Sequence, residues 1–102
     1  MRPALKILPG CEDDIISIAE WYHEQRQGLG DDFILSLYAK LNFIHNNHLT
    51  FQLHNKKYRK ASLERFPYHV FYKISDGSII IFAVLHDSRN PTLWRKVYKR
   101  LD

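Results

Sequence analysis

Cysteine occurs once among the 102 residues, at Cys11. No disulfide can form within the chain, and a reducing compartment suits it best. Long apolar runs are also lacking. The longest, Ile79 to Leu85, has seven residues, far short of the roughly 20 that cross a bilayer as a helix. Met1-Arg2-Pro3 leads into Lys6, and acidic residues arrive by Glu12. That opening predicts no signal peptide and a cytoplasmic location. Glycine and proline number four each, and none forms a phosphate-cradling loop or a nucleophile elbow. The six histidines (23, 45, 48, 54, 69 and 86) match no usual ligand spacing, so neither a metal nor another cofactor is expected. Membrane protein, disulfide scaffold and disordered tail are excluded as classes.

What is present is ordinary for a folded domain: 45% hydrophobic and 25% charged residues. The length predicts one domain over 1–102, able to bury roughly two-thirds of its unfolded surface. Charge is divided unevenly. Residues 1–55 carry a net −3 and residues 56–102 a net +7, within an overall +4. Such asymmetry points to an anionic partner, either nucleic acid or an acidic protein, on whatever surface the second half builds.

Ala4 to Leu8 reads as a short strand stopped by Pro9-Gly10. Glu12, Asp13 and Asp14 then suit a helix N-terminus, and Cys11, Ile15, Ile18, Ala19 and Tyr22 form its apolar stripe. The helix is expected to end near Gly28. A second begins around 30–32 and runs to Asn46-Asn47, with a stripe of Phe33, Ile34, Leu37, Leu41 and Ile44. Their short link makes an antiparallel helical hairpin. Tyr58 to Leu63 reads as a strand. His69 to Ser75 and Ser78 to His86 are the clearest strands, joined through Asp76-Gly77, a strong type I′ signal. The basic stretch from Arg89 onwards suits a short helix or an extended clamp. The expected class is α+β: two N-terminal antiparallel helices packed on one face of a twisted, mainly antiparallel sheet.

A two-residue turn sets the register, with Ser75 opposite Ser78. Counting back, Tyr72 faces Ile81, Val70 faces Ala83 and Tyr68 faces Leu85. This apolar face is expected to lie under the helix stripes. The other face collects Lys73 with Ile80, Phe71 with Phe82 and His69 with Val84, a mixture expected to be open for contact. Lys57, Arg59, Lys60, Arg65, His69, Lys73, His86 and Arg89 form a cationic and imidazole cluster. Cations stabilise phosphate charge and histidine moves protons near neutral pH. The cluster therefore suits either metal-free RNA cleavage or a carboxylate-rich protein segment.

Several strings occur in order: Ala19-Glu20-Trp21-Tyr22, Leu29-Gly30, Phe33, Arg65-Phe66-Pro67-Tyr68-His69-Val70-Phe71-Tyr72, His86-Asp87-Ser88-Arg89-Asn90-Pro91 and Trp94. From about Lys6 to Trp94 the chain resembles the RelE/ParE toxins of bacterial type II toxin–antitoxin systems, most of all the ParE-like, plasmid-stabilisation branch. The resemblance implies a cognate antitoxin and a toxin–antitoxin hetero-oligomer. It also implies one of two targets: DNA gyrase, poisoned without catalysis, or the ribosome, where messenger RNA is cleaved. His69 stands where messenger-cleaving members commonly have arginine, and Trp94 precedes a basic tail where they often end in a catalytic tyrosine. These departures favour the gyrase reading, with Arg59, Arg65, Lys73, Arg89, Trp94 and Arg95 as target-binding residues. In the ribonuclease reading the candidate catalytic residues are His69, His86, Arg59 and Arg89. A third reading is an inactive relative that serves as a protein-binding module.

Overall fold

The computed structural model describes residues 3–88 and 91–101. A strand, β1 (Ala4–Ile7), leads directly into α1 (Pro9–Gln25). Pro9 stands in the first turn of α1, where a missing backbone N–H costs nothing, so the helix starts before the acidic stretch that announces it. Arg26 is extended and Gly28 is left-handed at φ 86°, and the chain turns there into α2 (Leu29–Asn46). The two helices approach closely at Gly30. A Cβ on Gly30 would stand 2.5 Å from the Ala19 carbonyl oxygen, so only glycine allows this packing.

The strands β2 (Leu53–His54), β3 (Tyr58–Ser62), β4 (Tyr68–Ser75) and β5 (Ser78–His86) follow, then α3 (Pro91–Tyr98) and a 3-10 turn over Lys99–Leu101. They form a five-stranded sheet of order β1-β5-β4-β3-β2. β1 runs parallel to β5 and the other pairs are antiparallel. The β4–β5 turn has Asp76 at φ 51° and Gly77 at φ 75°, as a type I′ turn requires. The two-residue β2 was not anticipated. Its turn puts Asn55 and Lys56 at positive φ, and lysine at such a position gives no hairpin signal.

Under the helical hairpin lies the larger core. Cys11, Ile15, Phe33, Leu37, Leu41 and Ile44 meet Val70, Tyr72, Ile79, Ile81 and Val84. The expected register holds from Ser75–Ser78 back to Tyr72–Ile81 and then fails. A bulge falls between Phe71 and Tyr72: Phe71 pairs with Ala83, Val70 with Val84, His69 with Leu85 and Tyr68 with His86. Phe82 is the extra residue. A bulge turns two successive side chains towards one face, and here Phe82 and Ala83 both leave the helix side. Val84 takes the place expected for Ala83 against the helices, and Leu85 moves to the opposite face.

That opposite face is not open, as the alternation had suggested. α3 lies across it, and Phe71, Phe82, Ala83, Leu85 and Val97 form a second buried cluster with Trp94 and Leu101 packed against it. The buried Phe71, Phe82, Leu85 and Val97 side chains each contribute roughly 1.5–3 kcal/mol relative to exposure. Three cationic contacts secure the segment. Lys73 Nζ donates to the Leu101 carbonyl at 2.7 Å. Arg100 donates to the Phe82 carbonyl at 3.0 Å and to Asp14 of α1 at 3.1 Å.

Candidate functional site

β4 carries candidate residues on both of its faces, and the pleat separates them. Arg59 of β3 stands opposite Tyr72 on the helix side. Its guanidinium donates to the carbonyls of Phe51 at 2.6 Å and Leu49 at 3.4 Å. Tyr72, fully buried, donates its hydroxyl to the His48 carbonyl at 2.8 Å. Together they fasten the loop between α2 and β2. Burial pushes the Tyr72 phenol up to about 12, against the opposing influence of the Arg59 charge. Burial likewise raises the Cys11 thiol to about 12, helped by the nearby Asp14 carboxylate.

His69 lies on the α3 side, paired with Leu85. Its Nδ1 shares a 2.8 Å hydrogen bond with Ser62 Oγ, and its Nε2 faces the Asp87 carboxylate as an ion-pair partner. His86 faces the other way, with its ring edge-on to Tyr68 at 5.1 Å. Its Nδ1 accepts the Ser88 N–H at 3.0 Å and the Ser88 hydroxyl at 2.8 Å. The structure thus does not gather His69, His86 and Arg59 onto one surface. Arg89, the fourth residue of that set, lies outside the described residues. Of the remaining histidines, His45 donates Nε2–H to the Pro3 carbonyl at 2.6 Å, and His54 stacks on Tyr58. No three His, Cys, Asp or Glu side chains gather as a metal-binding group among the described residues.

The target-binding candidates also divide. Lys73 is engaged with Leu101. Trp94 is half-buried, packed at 5.0 Å from Phe71 and 5.3 Å from both Tyr58 and Tyr98. Arg65 is exposed, its guanidinium over the Phe66 ring. Arg95 is exposed on the outer side of α3, 3.4 Å from the Thr92 hydroxyl. Among the described candidates, only the last two present a charged head to solvent without serving the fold; Arg89 lies outside the described residues.

A groove along α2 was missed by the sequence reading. Asp32, Leu35, Ser36, Ala39, Lys40 and Phe43 of α2, with Glu64 and Arg65 of the loop before β4, line a space of about 540 Å³. Leu35 is 69% exposed and Phe43 45%, so this is an apolar surface turned to water. Lys40 bridges its width to Glu64 at 2.9 Å. The signal was available, because Leu35, Ala39 and Phe43 recur at i, i+4 and i+8. This second stripe runs down the helix on the side away from the core stripe.

A helical hairpin on one face of a five-stranded, mostly antiparallel sheet, with a basic C-terminal helix on the other, defines a RelE/ParE-like toxin fold. A solved structure described as the chromosomal ParDE toxin–antitoxin system from P. aeruginosa is similar to it, with a TM-score of 0.74 at 15% identity. The match covers 83% of this chain and 96% of that one. The family model for the ParE toxin of type II toxin–antitoxin systems matches residues 5–91. The chain belongs to that family. No curated protein sequence matches it significantly. No helix among the described residues is long and apolar enough to cross a membrane.

Proposed function

We propose that this chain, as one domain over 1–102, is a cytoplasmic toxin that binds and poisons DNA gyrase and is neutralised by a cognate antitoxin. The observation that carries the target is the division of the candidate acid–base groups. Arg59 serves a loop on the helix side, while His69 and His86 face opposite sides of the β4–β5 hairpin. General acid–base cleavage of RNA needs two such groups within one hydrogen bond or one water of a single ribose phosphate. A binding toxin has no such requirement. Arg65 and Arg95 are the target contacts this reading retains, together with Arg89, six residues before Arg95 in sequence.

The antitoxin is assigned to the α2 groove. An amphipathic segment that folds on binding buries apolar anchors spaced like Leu35, Ala39 and Phe43. The mixed charges of Asp32, Lys40, Glu64 and Arg65 along the rim would set its register.

Expression with and without the neighbouring open reading frame, followed by two assays on purified protein, tests the reading. Growth arrest relieved by the neighbour and loss of gyrase supercoiling are expected. A folded protein that arrests nothing would make it a binding module instead. One observation favours the ribonuclease as second reading: the Ser62–His69–Asp87 chain holds one imidazole between a hydroxyl and a carboxylate. Cleavage of ribosome-bound messenger, lost on His69→Ala, would decide for it.

A further inference from the structure

The net +7 of residues 56–102 does not spread evenly over the surface. Lys73 and Arg100 are spent on the fold. What stays on the surface concentrates around α3. Trp94 and Val97 of that helix turn inward, which leaves Arg95 and Lys96 exposed on its outer side and Lys99 exposed at the start of the 3-10 turn. Lys57 joins them, its ammonium 5.8 Å from the Tyr98 ring centre. Lys60 shares the strand face of Tyr58, which contacts both Trp94 and Tyr98. Among the described residues, none of these five cations is in an ion pair, and α3 with its 3-10 turn holds no acidic side chain.

We infer that this ridge binds the phosphate backbone of duplex DNA, a property beyond the gyrase and antitoxin contacts proposed above, with Arg95 the one residue it shares with the gyrase contacts. Three observations select that partner. Protein interfaces gather around an apolar centre and are poor in lysine. This ridge is lysine-rich, and α3 itself exposes a single large apolar side chain, Leu93 at 38%, whereas Leu35, Tyr38 and Phe43, 45–69% exposed, cluster on α2, which packs on the other face of the sheet. Single strands are held by aromatic faces on which bases stack. The aromatics here are turned into the cluster, where Tyr58, Trp94 and Tyr98 contact one another at 5.3–5.9 Å. Duplex backbone contact needs only positioned cations and carries no base readout. The duplex also offers the densest charge, one per about 1.7 Å of axis.

Fluorescence anisotropy of the purified toxin with a short labelled duplex, in the absence of gyrase, tests the inference. Binding without sequence preference is expected at a Kd of about 10⁻⁴–10⁻⁶ M near physiological salt. Log Kd against log salt should show a slope of magnitude about 0.9 for each phosphate neutralised. The triple variant Lys57→Gln, Lys96→Gln, Lys99→Gln, which spares Arg95, should make that slope shallower by about 2–3 and weaken binding at least about tenfold at low salt. If it fails to fold, Lys96→Glu and Lys99→Glu singly read the same slope. Four results overturn the inference: no duplex binding at about 50 mM salt, an unchanged slope in the variants, tighter binding to poly-glutamate, or preference for single strands. None of them bears on gyrase inhibition, which is measured separately.

Discussion

Arg100 reaches from the end of the chain to Asp14 in the second turn of α1, 3.1 Å away, and lies across Gly10. The same guanidinium donates to the Phe82 carbonyl at the bulge. One side chain therefore ties the C-terminal segment to the first helix and to the irregular strand at once. Charge-assisted hydrogen bonds of this partly buried kind contribute about 1–2 kcal/mol each. Arg100→Met should lower stability by about that amount in urea denaturation. Asp14→Asn should cost less, because it leaves the carbonyl bond intact. A double variant whose losses simply add would mean the pair is not coupled.

Glycines 30 and 77 should respond differently to alanine. At Gly30 the new methyl would meet the Ala19 carbonyl at 2.5 Å, so the helices must separate at a cost of about 1–3 kcal/mol. At Gly77 there is open space, and only the positive φ of 75° resists substitution, costing about 1–2 kcal/mol. Gly30→Ala should also disturb the packing of Tyr22 on Phe33, read as a near-ultraviolet circular dichroism change. Gly77→Ala should leave that signal intact.

Alkaline pH should destabilise the fold in a defined window. Cys11 and Tyr72 rise from 9.0 and 10.0 to about 12 on folding. Both stay protonated in the native state while the unfolded chain ionises, so the unfolded state binds fewer protons and stability falls as pH rises. The contribution is complete below pH 9 and is lost progressively towards pH 12. The limiting slope is about 1.4 kcal/mol per pH unit for each group. Cys11→Ala should flatten the first part of that decline in denaturation series between pH 8 and 11. By the same burial, the Cys11 thiol should resist alkylation until the protein unfolds.

Removal of α3 by truncation after Ser88 should expose Phe71, Phe82 and Leu85, which Val97, Trp94 and Leu101 cover. An apolar patch of this kind promotes association. The truncated chain should bind a hydrophobic dye and aggregate at concentrations where the full chain stays monodisperse. A monomeric, dye-silent product would show that α3 is dispensable to the second core.

Arg59→Gln should act on the loop of residues 47–52 more than on any target. Loss of the bonds to Phe51 and Leu49 should cost about 1–2 kcal/mol and speed amide exchange in that loop. Toxicity should fall no further than the loss of folded protein explains. A larger fall would make Arg59 a contact residue.

Local rules written in short stretches determined much of this protein. Helical spacing placed Cys11, Ile15, Phe33, Leu37 and Leu41 in the core, and Asp76-Gly77 set the hairpin and its first four pairs. Each depends on neighbours a few residues away, which the sequence displays directly. Tertiary structure decided the rest. Phe82 bulges, and its carbonyl receives Arg100 from 18 residues away; no periodicity within β5 announces that partner. Arg59 and Lys73 looked like surface cations until the carbonyls of Phe51 and Leu101 came within reach. Trp94 looked like a contact residue until Phe71 lay beneath it. A charged or aromatic side chain has the same chemistry in either role. Whether it faces a partner molecule or its own fold depends on which distant backbone groups must be satisfied and which apolar surface must be covered.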